Sequence, residues 1–296
     1  MQDVTLIVTA FERPVALNVF LESVFKFYPG IRVVVADNSR HPILNPRWLA
    51  EESLRYAILP FDSGVSKCRN VAMEMVETKY AVILEEDFEF TEATRLETWV
   101  AILEARPDIG VIAGALRYDN SVSRNYANRV YVDYESGTYE IVPLNPADPP
   151  VVAGARVIEA DYVFNFFMCR NVPEFRWDPD LKMAIEHIAF FLDVKKSGKW
   201  KVAMTPDVMA LHHQYRPSVL YETHRNRTDS WKIYAAKSGL VCGVNKRDHL
   251  VYMLDEDKGL SYPEYVFRLL KGLNDSRMAD AKMRESNPLS VEVSNG

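Results

Sequence analysis

The feature that most constrains this chain is an alternation of two hydrophobic periods through its first 115 residues. Val4 to Val8 is a short apolar run of strand type. Leu17, Phe20, Leu21, Val24 and Tyr28 then recur at helical spacing, behind Pro14 at a first helical turn and ahead of Pro29-Gly30. Ile31 to Ala36 is a second strand, ending at Asp37, and Tyr56 to Leu59 is a third. Phe61-Asp62-Ser63-Gly64 leads into a helix with Val65, Cys68, Ala72, Met75 and Val76 on one face. Ala81 to Leu84 is a fourth strand; a helix over about Thr91 to Ala105 and a strand from Ile109 to Ala113 follow. Strands alternating with helices predict an α/β fold with a mostly parallel sheet covered by helices. In such sheets ligands bind outside the carboxyl ends of the strands.

Past residue 115 the pattern changes. Arg129 to Val142 alternates around Ser136-Gly137, which predicts a β-hairpin insertion. Pro143 to Pro150 is a proline-rich loop, and Val157 to Cys169 is strand-like. Leu181, Ala184, Ile185, Ile188 and Leu192 form a second helical stripe. Trp200 to Met204 and Val208 to Leu211 are two short extended runs, the latter ending at His212-His213. From Pro217 onward the pattern predicts a helical extension, and from Asp275 a loosely ordered polar tail. The expected organisation is a domain over 1–213, split into halves 1–115 and 116–213, then a helical extension over 214–274 and a tail over 275–296.

Composition excludes several classes. A net charge of −6 provides no global basic field for nucleic acid. Cys68, Cys169 and Cys242 are odd in number and widely spaced, which fits neither a disulfide framework nor a zinc site, and favours a reducing compartment. No apolar run approaches the ~20 residues of a membrane span. Asn226-Arg-Thr and Asn274-Asp-Ser match the glycosylation sequon, a short pattern that often arises by accident.

Chemistry concentrates in Ala81-Val-Ile-Leu-Glu-Glu-Asp-Phe-Glu-Phe90, where a buried-looking strand runs into three consecutive acids. Carboxylates are costly to bring together without a cation. Glu85 and Asp87, two apart, project to the same side, with Glu86 directed away. Hard divalent cations take such oxygen ligands together with substrate phosphates. The other reading is a solvated acidic turn capping the next helix, and it suits Glu89 and Glu92. His212, at another strand end, is a second candidate ligand. Asp37 could instead cap a turn with Asn38-Ser39, and Arg69 could pair with a surface acid.

The ordered set Phe27-Tyr-Pro29, Val33-Val-Val-Ala-Asp-Asn-Ser39, Leu59-Pro-Phe61, Arg69-Asn70, Thr78-Lys-Tyr80, Glu85-Glu-Asp-Phe-Glu-Phe90, Thr94-Arg-Leu96, Asn165-Phe-Phe167, Asp178-Pro179 and His187 to Asp193 resembles nucleotide-sugar glycosyltransferases of the GT-A fold, family 2 type. The resemblance covers roughly residues 4 to 213 and is greatest to the β-1,4-N-acetylgalactosaminyltransferases of ganglioside synthesis. It implies a UDP-sugar donor and a Mn²⁺ or Mg²⁺ cofactor. Asp37 would accept a hydrogen bond from the uracil. Thr9, Ala10 and Arg13 would border the base, and Arg69 would steady the nucleotide. Glu85 and Glu86 stand at the nucleotide-side positions of the family's aspartate-rich signature, with Glu85 facing ribose or metal. Asp87 and His212 would hold the metal, and Asn165 would lie in the donor-sugar or acceptor pocket. This chain has glutamates where the family usually has aspartates.

Transfer to a hydroxyl needs a base. Glu186, off the apolar stripe, is the first candidate, with His187 its competitor and Asp180 a third; the relatives' acid falls where this chain has Ala189. An inverting displacement follows from a base on the acceptor side. From Arg216 to Arg247 there are seven Lys/Arg and two acids, interleaved with Tyr215, Tyr221, Trp231 and Tyr234. Such a patch suits a glycan or a modified nucleic acid as acceptor, or simply packs on the main domain. A cytoplasmic enzyme, viral or bacterial, is expected; the alternative is a luminal Golgi domain without its anchor. The rival activities are a sugar-phosphate nucleotidylyltransferase, which would want a glycine-rich basic loop where Thr9 to Pro14 stands, and an inactive nucleotide-sugar binder.

Overall fold

A computed structural model describes residues 1–118, 123–215, 219–225, 229–248 and 250–253. The first half follows the alternation closely: β1 (Val4–Ala10), α1 (Pro14–Phe27), β2 (Arg32–Asp37), β3 (Leu54–Ile58), α2 (Val65–Glu74), β4 (Tyr80–Glu85), β5 (Phe88–Glu89), α3 (Leu96–Ala105) and β6 (Ile109–Tyr118). All seven residues of β1 are buried, as a strand covered on both faces requires. Leu6 and Val8 join a core with Leu17, Phe20 and Val24 of α1 and with Trp99 and Ile102 of α3. Ile7, of opposite parity, joins a second core with Cys68 and Ala72 of α2.

The second half supplies β7 (Ser123–Arg124), β8 (Asn128–Asp133), β9 (Thr138–Pro143), β10 (Val151–Val152), β11 (Ala155–Arg156), β12 (Ile158–Ala160), β13 (Phe167–Arg170), α4 (Glu186–Ser197), β14 (Lys201–His212), α5 (Val219–Arg225), α6 (Asp229–Ser238), β15 (Cys242–Asn245) and β16 (Leu250–Met253). The main sheet runs β12-β14-β6-β13-β4-β1-β2-β3. The pairs β1–β2, β1–β4, β2–β3 and β6–β14 are parallel. β13 enters antiparallel between β4 and β6. The expected α/β sheet is present, its antiparallel pairings made by β5, β7, β12 and β13.

Four expectations change in detail. Val157 to Cys169 is not one strand, because the backbone N–H groups of Asp161 and Tyr162 turn aside to the Asn128 carbonyl. The loop this makes carries Asn165. The second helical stripe begins as a loop: Ala184 takes a φ of 77°, and the Leu181 and Lys182 carbonyls accept from Ser66 Oγ and Val65 N of α2 instead of from a helix of their own. The helix expected from Thr91 starts at Leu96, after a turn closed by Thr94 N to the Thr91 carbonyl. The two runs at 200–204 and 208–211 are a single strand, β14, with an irregularity between Met204 and Met209.

The extension is also not wholly helical. Two helices are followed by β15, which pairs parallel with β9, and by β16. Gly243 makes this possible, since a Cβ there would lie 2.1 Å from Cζ of Tyr139. The predicted hairpin is β8–β9, turned at Gly137 with a φ of 68°. Both sequons and the expected tail lie outside the described residues, as do Arg216 and Arg227. No helix among the described residues is long and apolar enough to cross a membrane.

Candidate active site

The parallel register places Ala10 opposite Asp37 and Thr9 opposite Glu85. Three strand ends therefore open on one edge, where a cavity of about 590 Å³ is lined by Thr9, Ala10, Arg13, Glu85, Glu86, Asn165 and Glu186, among others. Beyond Glu85 the chain turns, and β5 pairs back on β14 with Phe88 opposite His212. That pairing brings Asp87 to His212.

Donor atoms of Glu85, Asp87 and His212 lie within 4.8 Å of one another. His212 Nε2 is 3.5 Å from Asp87 Oδ2. Asp87 Oδ1 and His212 Nδ1 are buried with no hydrogen-bond partner among the described residues. Two carboxylates and an imidazole with unspent donor atoms fit a hard to borderline divalent cation such as Mn²⁺ or Mg²⁺.

Arg13 ties this cluster from the α1 side. Its Nε donates to Glu86 Oε1 and its Nη1 to Asp87 Oδ2, both at 2.9 Å. Its guanidinium carbon lies 4.4 Å from the Tyr221 ring centroid. Glu86 is thus not directed away from the cluster, because the chain has left strand geometry at the turn. Burial opposes ionisation of both acids. At Asp87, hydrogen bonding to His212 and the charge of Arg13 outweigh it and hold the carboxyl below its usual range. At Glu86 burial wins over Arg13, and the carboxyl is pushed up. Burial also works against the charge on His212, but the Asp87 and Glu85 carboxylates raise it.

The remaining candidates divide. Asn165 Nδ2 donates to Glu85 Oε1 at 2.8 Å. Glu186, 6% exposed, is the first residue of α4 and faces the cavity, so it is not a surface helix acid. Arg69 is 1% exposed and stands between Glu85 and Glu186, so its partners are not surface acids either. His187 is turned away: its Nε2 lies 2.7 Å from the Val163 carbonyl, and its ring packs on Tyr162 and Phe191. Burial, followed by the charge of Arg69, lowers it to about 3, which keeps it neutral. Asp180 pairs with Lys237.

Asp37 behaves as a turn cap. Ser39 N donates to its Oδ1, and Ile43 N and the Tyr56 hydroxyl donate to its Oδ2. It is 1% exposed and does not line the cavity. Phe11, Asp62, Lys182, Met183, Tyr221 and His224 do line it, and the sequence reading gave them no site role. Tyr221 belonged to the basic and aromatic stretch noted there; Lys182 and Met183 carried no signal, because only the left-handed turn at Ala184 brings them in.

Residues 5–163 match the glycosyl transferase family 2 profile, and the chain belongs to that family. It is 30% identical to rat beta-1,4 N-acetylgalactosaminyltransferase 1 over 213 residues and 29% identical to mouse beta-1,4 N-acetylgalactosaminyltransferase 2 over 219. Those matches take in 71% and 72% of this chain but only 38% and 39% of the relatives' own length. The fold is shared with solved structures. GalNAc-T7 with UDP, GalNAc and Mn²⁺ superposes with a TM-score of 0.56 at 14% identity, over 78% of this chain and 46% of the other. Staphylococcus aureus TarS 1-349 in complex with UDP-GlcNAc gives 0.56 at 13%, over 79% and 66%. The architecture is that of GT-A glycosyltransferases.

Proposed function

We propose that this protein is a metal-dependent inverting glycosyltransferase that takes a UDP-sugar donor, with residues 1–213 carrying the chemistry. The observation that carries the reading is the Glu85–Asp87–His212 cluster, with its unspent donor atoms, at the mouth of a cavity at the strand ends. Glu85, Asp87 and His212 would hold Mn²⁺ or Mg²⁺, which when bound supplies Lewis-acid stabilisation of the departing diphosphate. Arg13 fixes the Asp87 carboxylate by a direct hydrogen bond. Thr9, Ala10 and Phe11 border the nucleotide, and Asn165 orients Glu85.

Glu186 is the base. Its carboxylate takes the proton of the acceptor hydroxyl. The hydroxyl oxygen forms a bond to the anomeric carbon as the bond from that carbon to the diphosphate breaks, and the configuration inverts. The burial of His187 and its bond to Val163 favour Glu186 over it in this role.

A glycan hydroxyl suits the acceptor side better than a hydroxymethylated base in DNA. Three described cations of the basic stretch are engaged: Lys237 with Asp178 and Asp180, Lys246 with Glu140, and Arg247 with Asn128. Tyr234 is buried against α4. These contacts support the packing role over a nucleic-acid track.

A panel of UDP-sugars with Mn²⁺, scored by hydrolysis of the donor, tests the reading. Turnover of at least one sugar that is lost with EDTA is expected; a protein inert to every sugar is an inactive binder or acts on another donor. Glu186→Gln should retain donor binding and lose transfer by at least about 100-fold.

A further inference from the structure

Arg69, on α2, is the one deeply buried arginine of the site. Its Nη2 is 3.6 Å from Glu85 Oε1 and its Nη1 is 3.7 Å from Glu186 Oε1. Its guanidinium carbon lies 5.3 Å from the Trp177 ring centroid, and Trp177 in turn stacks on Phe190 at 4.6 Å. Nε and Nη1 make no hydrogen bond among the described residues. Charge-assisted hydrogen bonds close to about 2.7–2.9 Å when nothing holds the partners apart. Here one cation stands between two carboxylates fixed by different elements, the last residue of β4 and the first of α4. Asn165 grips the same Glu85 oxygen from another side. Arg69 does not itself line the cavity.

We propose that Arg69 is a positioning residue: it sets the placement of Glu85 and Glu186 across the donor cavity and acts through those carboxylates without touching the nucleotide. The proposal rests on the reading of Glu186 as the base. Two carboxylates drawn to one guanidinium would lose their common anchor without it. A guanidinium held over Trp177 keeps that anchor in place. The role differs from nucleotide contact in one measurable respect. Asn165 still grips Glu85 when Arg69 is lost, so loss of Arg69 should strike the chemical step at Glu186 and spare UDP affinity.

The test combines steady-state transfer with calorimetric titration of UDP and Mn²⁺ on the parent, Arg69→Lys, Arg69→Met, Glu186→Gln and the double variant Arg69→Met/Glu186→Gln. Arg69→Met should lose kcat by at least about 100-fold with donor KM and UDP Kd within about threefold, and Arg69→Lys should recover at least about tenfold of that loss. Glu186→Gln added to Arg69→Met should cost less than about threefold more, because residues acting as a unit are not additive. The double variant should also melt above Arg69→Met, since one stranded carboxylate is gone. If Arg69→Met does not fold, Arg69→Lys decides alone, with reduced kcat and parental UDP affinity expected.

UDP affinity falling in step with kcat, parental kcat in Arg69→Lys and Arg69→Met, or full additivity of the pair would each overturn the proposal. A parent that turns over no UDP-sugar overturns the function itself and this role with it. An active parent with an additive pair overturns only the role of Arg69.

Discussion

Asp87 and His212 meet because a strand of two residues, β5, folds back on the end of β14. Phe88 stands opposite His212, and His213 N donates to the Asp87 carbonyl at 2.9 Å. Backbone pairing therefore fixes a carboxylate and an imidazole from distant parts of the chain before any ligand arrives. Preorganisation of this kind removes ordering cost from binding.

If His212 is a ligand, His212→Ala should weaken Mn²⁺ binding in the presence of UDP by roughly ten- to a hundredfold, the scale on which metal sites respond to losses around them. The fold should survive, because β5–β14 pairing is a backbone contact. Manganese titration followed by electron paramagnetic resonance measures this. Unchanged affinity would remove His212 from the site.

Arg13 bonds both Glu86 and Asp87 at 2.9 Å. Arg13→Met should cost on the order of 3 kcal/mol of stability, the scale for a buried pair that loses one partner. Adding Glu86→Gln should return part of that loss. Urea denaturation of the two variants separates the outcomes; equal stability of single and double variants would show that Glu86 does not need the guanidinium.

His187 makes stability depend on pH. Its folded pKa is lowered to about 3 by burial and then by Arg69, against about 6.5 in an unfolded chain. Below that unfolded value the unfolded chain binds a proton that the folded chain refuses, so stability present at neutral pH falls as pH drops from about 6.5 toward 3. The single-site effect amounts to roughly 2 kcal/mol at pH 5. His187→Gln should flatten the difference in stability between pH 7 and pH 5 by about that amount. Parallel pH curves for the two proteins would refute the assignment.

The sequence displayed the sheet well and the site unevenly. β1, α1, β2 and β4 were legible because each is buried with an unmixed period, strand or helix. Asp87 was legible as a site candidate because an apolar strand delivers it. Only the resemblance paired it with His212; the backbone pairing that joins them was hidden, since a two-residue strand has no periodicity to detect. The bond of the Tyr56 hydroxyl to Asp37 was hidden for a similar reason: Tyr56 lies on β3, and nothing local to Asp37 announces it. Glu186 was a candidate because it lay off the apolar stripe, but its burial was not legible there. The left-handed Ala184 resets where α4 begins and turns that position inward against Arg69.

The central claim is that Asp87 links a divalent cation to the diphosphate of a UDP-sugar. Calorimetric titration of UDP into the protein, with Mn²⁺ and with EDTA, tests it on the parent and on Asp87→Ala. The parent should bind UDP at least about tenfold more tightly with Mn²⁺ than with EDTA, a difference of roughly 1.4 kcal/mol, and Asp87→Ala should bind it equally under both conditions. Retention of the full manganese dependence by Asp87→Ala would contradict the account.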